Sequence, residues 1–164
     1  MVLVPQVCDV VDVPVIAAGG IADGRGMAAA FMLGAAGVQM GTAFLVAKEC
    51  NVHQNYKDKV LKAKDIDTMT TGRRSGHPVR VLKNPFAREY YKKEFDSTVT
   101  EAELEQLGAG ALRKAAVEGD VQNGSFMCGQ IAGMIHKEQS AADIITSIVT
   151  QAEDILTGGC PWIK

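Results

Sequence analysis

The sequence predicts an α/β fold, and a piece of a larger parallel barrel rather than a complete domain. Three observations lead there. Two apolar runs, VPVIAA (13–18) and AGVQM (36–40), flank a helix-length segment, the pattern of a βαβ unit whose parallel strands are buried on both faces. Each run ends in small residues, Gly19-Gly20 and Gly41-Thr42. Only two convincing strands stand beside four or five helical segments, and a two-stranded parallel sheet standing alone would leave apolar edges open.

The elements follow in order. LVPQVCDVVDVPV (3–15) reads as the tail of an amphipathic helix feeding the first strand, so the expectation is that further elements precede it. Asp23 suits the N-cap of the helix between the strands. Lys48 to Asp67 is polar and helical in part, with Asn55, Tyr56 and Leu61 as anchors, and TTGRRSGHPVRVLKN (70–84) reads as a surface excursion. Thr100 with Glu103 forms a capping box ahead of Leu104, Leu107, Ala111 and Leu112, and Gly119 closes the segment. Gly108 and Gly110 weaken that helix and break it. Ser125 caps a helix over FMCGQIAGMIHKE (126–138). Ser140 with Asp143 opens the last helix, whose apolar face comprises Ile144, Ile145, Ile148, Val149, Ala152, Ile155 and Leu156, and Gly158-Gly159 ends it. Residues 1–50 are then the final βα units, 51–99 the excursion with its basic loop, and 100–164 the C-terminal helices of one domain.

Composition narrows the function classes. A net charge of −2 gives no global attraction to nucleic acid or anionic membrane. Cys8, Cys50, Cys128 and Cys160 are scattered with no CxxC pair, which fits a reducing cytosol and offers neither a disulfide framework nor a zinc site. No apolar run reaches the roughly 20 residues of a membrane span. A cytoplasmic protein without a metal is expected.

The two glycine-bearing turns lie about one βα repeat apart, which places them side by side at one end of a parallel sheet. Small residues there let a phosphate approach backbone N–H groups, and the positive end of the following helix can add to this. In (β/α)8 barrels the loops after the last two strands commonly hold a phosphate. The clamp so predicted comprises Gly19, Gly20, Gln39, Met40, Gly41 and Thr42. A rival pattern is Gly24-Arg25-Gly26-Met27-Ala28-Ala29, a permissive dinucleotide fingerprint, with Glu49 about 20 residues on. Its first glycine comes late for a strand-to-helix turn, and Asp23 would sit beside the pyrophosphate.

The stretch from Gly72 to Lys93 carries Arg73, Arg74, Arg80, Lys83, Arg88, Lys92 and Lys93 against one acid, Glu89. It is either a solvated face or a landing site for nucleotide phosphates or an acidic protein. His53, His77 and His136 have no second ligand at metal spacing, although His77, between Gly76 and Pro78, could touch a ligand. Gly129 and Gly133 form a GxxxG that indicates close packing.

VPVIAAGGIADGRG and GAAGVQMGTAFLVAKE closely resemble the flavin-dependent enoyl-acyl carrier protein reductases (type II), within the wider nitronate monooxygenase group. HQNYKDKVLKAKDIDT, GHPVRVLKN, LGAGALRKAAVEGDVQNGS and MCGQIAGMI extend the resemblance almost end to end and favour the reductase. It implies an FMN-binding (β/α)8 barrel of roughly twice this length. This chain would then be the C-terminal half, its last two βα units followed by C-terminal helices, with Val13–Ala18 the seventh strand and Gly37–Met40 the eighth. The six clamp residues match the family's FMN phosphate-binding positions.

The implied reaction uses NADH or NADPH to reduce FMN, which then reduces a 2-enoyl thioester carried by acyl carrier protein. A homodimer is a further expectation. The general acid histidine, in a Gly-Gly-His segment before the seventh strand, has no counterpart here, so no catalytic residue is assigned. The chain alone is expected to be inactive. Nitronate monooxygenase, or a non-catalytic half-barrel requiring a partner chain, are the alternatives.

Overall fold

The computed structural model describes residues 2–158. The described residues form two compact units, residues 2–49 with 139–158 and residues 50–138.

The first unit opens with helix α1 (Leu3–Cys8), then strand β1 (Ile16–Ala18), helix α2 (Gly24–Met32), strand β2 (Gly37–Gln39), the short helix α3 (Thr42–Leu45) and, after the second unit, the long helix that closes the chain. The strands are parallel, with Ile16 opposite Gly37, Ala17 opposite Val38 and Ala18 opposite Gln39. The βαβ reading is therefore correct, with the first strand confined to its last three residues. Asp23 caps α2 as expected, accepting from the N–H groups of Arg25 and Gly26. Ala17, Ile21, Ala30 and Ala35 form the buried cluster, with Val4, Val38 and Met40 packed against it. These side chains are small, so α2 and the strands approach closely. Ile16 is 55% exposed, and Val10 and Val13 are exposed beside it.

The second unit begins with helix α4 (Gln54–Leu61). Tyr56 and Val60 are its buried apolar anchors, not Leu61, because positions 56 and 60 share one helical face. Strands β3 (Thr68–Thr71) and β4 (Val79–Leu82) pair antiparallel, with Thr68 opposite Leu82 and Thr71 opposite Val79. The expected surface excursion is thus a hairpin, and Val81 and Leu82 are core residues. Helix α5 (Pro85–Glu94) follows. Asn84 caps it through the Ala87 N–H, with Pro85 at the first position, where a missing N–H costs nothing.

Helix α6 (Glu101–Gly108) carries the Thr100–Glu103 capping box and stops where Gly110 adopts φ +73°. Helix α7 (Ala111–Arg113) continues into a π-turn over 114–118 that ends on Gly119 at φ +65°. The helix expected over 126–138 does not form. That stretch holds only a 3₁₀ turn, Gln130–Met134. A Cβ on Gly133 would stand 2.6 Å from the Asp65 nitrogen, so the GxxxG does mark a close approach, of backbone to backbone. Ser125 donates its own N–H to the Ala111 carbonyl instead of capping.

The core of the second unit stacks Tyr56 on Phe126, ring centres 4.9 Å apart. The tyrosine hydroxyl donates to the Met127 carbonyl at 2.6 Å. Burial pushes the neighbouring Cys128 thiol up to about 11, which leaves it protonated and inert at neutral pH. Glu94 is buried too. It accepts from the N–H groups of Gly72 and Arg74, fastening α5 to the hairpin turn.

The last helix, α8 (Ala141–Thr157), opens on Ser140, which accepts from the Asp143 N–H. Of its predicted apolar face only Ile144, Ile148 and Ala152 are buried, a narrow i, i+4, i+8 stripe, while Ile145, Ile155 and Leu156 are exposed. Gly158 is its C-cap; Gly159 and Cys160 lie outside the described residues. No described helix is long and apolar enough to cross a membrane.

Candidate functional site

In-register parallel pairing puts the two glycine turns together. Ala18 and Gln39 are partners at the ends of β1 and β2, so Gly19-Gly20 and Met40-Gly41-Thr42 leave the sheet at the same end. Gly19 and Gly20 adopt φ +92° and +77°, a region L side chains avoid. That conformation alone accounts for both glycines. Gly41 is different. Its φ of −99° and ψ of −62° suit any residue, and a Cβ there would meet no atom within 4 Å. Neither backbone nor packing among the described residues calls for glycine at this position, and the space a Cβ would occupy is open. Gly19, Gly20, Gln39 and Gly41 are exposed, Met40 is half-buried in the cluster, and Thr42 is buried. The turn therefore presents bare backbone at its rim and is anchored by its flanks.

The fingerprint glycines of α2 have ordinary structural reasons. A Cβ on Gly24 would lie 2.6 Å from the Ala152 nitrogen and the Ile148 carbonyl oxygen of α8. One on Gly26 would lie 3.2 Å from the Ile21 side chain. Both glycines serve packing. The first N–H groups of α2 are also spent: Gly24 donates to the Gln151 side-chain oxygen at 2.8 Å, and Arg25 and Gly26 donate to Asp23. Arg25 in turn holds the Asp23 carboxyl below the usual range. Glu49, the acid a dinucleotide site would use on ribose, accepts from the Ala141 N–H at 2.8 Å and caps α8. The dinucleotide-module reading fails on these contacts. So does the expectation that the helix after Gly19-Gly20 lends its positive end to a ligand, because a carboxylate already sits there. Gln151 lies 127 positions from Gly24, and no local sequence signal could have paired them.

The histidines separate. His53 caps α4 by accepting from the Asn55 N–H at 3.1 Å, and its ring packs against Gly119, where a Cβ would collide with it. His136 is exposed. His77, on the hairpin turn, lines an open cavity of about 250 Å³ with Val79, Phe86, Tyr90, Leu112 and Met127. Among the described residues no group of three or more histidine, cysteine or acidic side chains could hold a metal.

The basic stretch also divides. Arg74 donates its N–H to Glu94 and its guanidinium to the Asp96 carbonyl. Arg80 donates to Thr68, and Lys93 pairs with Glu89. Lys83 and Arg88 instead line a cleft of about 470 Å³ together with Lys59 of α4 and Lys62, the C-cap of that helix. Those two lysines lie outside the run that sequence reading singled out.

The family model for nitronate monooxygenase matches residues 1–151. A probable nitronate monooxygenase of Staphylococcus saprophyticus is 40% identical over 157 residues, which cover 95% of this chain and 43% of that protein. The structure of FabK from Thermotoga maritima superposes with a TM-score of 0.90 at 49% identity, over 96% of this chain and 50% of FabK. Nitroalkane oxidase from Streptomyces ansochromogenes superposes with a TM-score of 0.79 at 30% identity, over 96% of this chain and 44% of the oxidase. The chain thus spans about half the length of its relatives. Its alternating strands and helices resemble part of a TIM-barrel-type enzyme, with sheets that are not closed. The chain belongs to the nitronate monooxygenase family.

Proposed function

We propose that this chain is the C-terminal portion of an FMN-binding barrel, and that Gly19, Gly20, Gln39, Met40, Gly41 and Thr42 hold the FMN phosphate. Gly41 is the observation that carries the reading: an unforced glycine, open on its Cβ side, beside two positive-φ glycines on the neighbouring strand end. The residues fit the group, since bare backbone at the end of a parallel sheet suits a phosphate. Bound there, FMN would supply hydride transfer between a nicotinamide cofactor and a substrate. The chain's own part is to seat and orient the phosphate. Thr42 adds a buried hydroxyl, and the Gln39 amide, exposed at the strand end, can donate to a phosphoryl oxygen.

The substrate we infer is a 2-enoyl thioester of acyl carrier protein, reduced with NADH or NADPH in fatty acid synthesis. The higher identity to FabK than to the nitronate monooxygenases supports it, and the apolar cavity beside His77 would suit an acyl chain. The alternative is nitronate monooxygenase, the description carried by the family model that matches residues 1–151. The general acid and the walls around the flavin ring are assigned to the N-terminal half of such a barrel, so the chain by itself should show no turnover.

Flavin fluorescence quenching by the purified chain tests the clamp. FMN should bind more tightly than riboflavin, which lacks the phosphate, and Gly41→Val should abolish that preference while leaving the circular dichroism unchanged. Equal binding of FMN and riboflavin would sink the clamp. Joining this chain to the N-terminal half of Thermotoga maritima FabK separates the substrates. Reduced flavin reoxidised anaerobically by a 2-enoyl thioester supports the reductase, and turnover of alkyl nitronates alone supports the monooxygenase.

A further inference from the structure

The cleft between α4 and the end of β4 gathers positive charge that the flavin reading does not use. Lys59, Lys62, Lys83 and Arg88 line it beside Asp58 and Asp67. Four cations against two carboxylates leave a formal charge of +2, in a chain whose net charge is −2. Among the described residues none of the four cations forms an ion pair. Both carboxylates have their own partners: Asp58 accepts from Gln54 at 3.0 Å, and Asp67 accepts from the Lys64 N–H at 2.9 Å.

Two of the cations are already held in place. The Lys83 ammonium donates to the Ile66 carbonyl at 2.6 Å. The Lys59 ammonium lies 5.5 Å over the Phe126 ring and within 3.5 Å of the Lys83 carbonyl. Burial pulls the Lys59 pKa down, and a bound anion would reverse that penalty. Because these side chains are ordered before any ligand arrives, a ligand would not have to supply their rotamer entropy. Lys62, Lys83 and Arg88 are exposed and Lys59 is half-buried, and Arg88 can present a planar fork to phosphate oxygens.

We propose that this cleft is a binding site for a diphosphate group, carried by a small organic ligand, with Lys59 and Lys83 as the pair already held by carbonyls and Lys62 and Arg88 as the closing pair. The site lies wholly within the second unit and does not depend on the flavin reading.

Isothermal titration of the full chain with inorganic pyrophosphate, without flavin, tests it. One site should titrate. Lys62→Ala and Arg88→Ala should each weaken binding roughly tenfold, Asp58→Asn should tighten it, and Lys114→Ala, an exposed cation elsewhere, should leave it unchanged. Circular dichroism confirms that each variant is folded. Titration with ADP then distinguishes the sources: tighter binding than pyrophosphate identifies a nucleotide, and equal binding a ligand read through its diphosphate alone. The proposal is overturned if pyrophosphate gives no saturable heat, if Lys114→Ala weakens binding as much as Arg88→Ala, or if only an acidic protein binds through these residues.

Discussion

The first unit buries alanine where the second buries tyrosine and phenylalanine. In the first, the cluster is Ala17, Ile21, Ala30 and Ala35, and valines and isoleucine around β1 stay exposed. In the second, Tyr56 and Phe126 are stacked and the tyrosine hydroxyl is bonded; the Asn84 amide meets the carbonyls of Val121 and Gly124. The second unit has a large stacked aromatic pair at its centre, although Tyr91 and Phe95 on and after α5 are exposed. The first has a two-stranded sheet with apolar flanks, the composition of a surface built to be covered. One chain therefore combines a unit centred on large aromatic side chains with one centred mainly on small ones.

Breaking the second unit should cost most. Tyr56→Ala removes a fully buried ring and should lower stability by about 3–5 kcal/mol in urea titrations. Tyr56→Phe keeps the ring and abandons the Met127 carbonyl, at about 1–2 kcal/mol. Gly24→Val should fall between those two, at about 2–3 kcal/mol by overpacking. It should act on the first unit alone, because the added atoms meet the α8 backbone. Hydrogen exchange resolves which unit each change loosens, and loss of protection in both from Gly24→Val would undo the contrast. Thr100→Ala should cost about 1 kcal/mol as a lost cap.

The smallest effect is a pH dependence at Asp23. Its folded-state pKa lies below the ordinary 3.8, so its contribution is complete above that value and fades as pH falls through the lowered one. Arg25 is largely exposed, which limits the contribution to under about 1 kcal/mol. Asp23→Asn should flatten the stability profile in that acid range and lower stability slightly at neutral pH, where the contribution is complete.

What the sequence made legible was local. Asp23, the Thr100–Glu103 box, Ser140 and the break at Gly110 are each decided within a few residues, and each stands where expected. The hairpin escaped notice because TMTT is polar and its turn is long, so neither strand shows clean alternation. Helix α5 had its signal in Asn84-Pro85, overshadowed by the surrounding charges. The segment after Phe126 has helical composition, but close backbone approach at Gly133 and the bridge from Met127 to Val81 prevail over propensity. At the site, Gly19, Gly20 and Gly41 were readable from spacing. Gln151 on Gly24, and Lys59 beside Lys83, are tertiary pairings that no window on the chain contains.

One pairing bears on how such a chain could be assembled or taken apart. Ala47 bridges Gln139 in parallel, the Lys48 N–H donates to the Gln139 carbonyl, and Glu49 caps α8 through Ala141. The place where residues 50–138 depart and the place where they return are thus stitched together. In topological terms those residues are an insertion with adjoining ends, the arrangement in which inserted modules are gained and lost at low loop-closure cost. A short glycine-serine bridge from Glu49 to Gln139 would reconnect the remaining chain without having to span any distance within the fold.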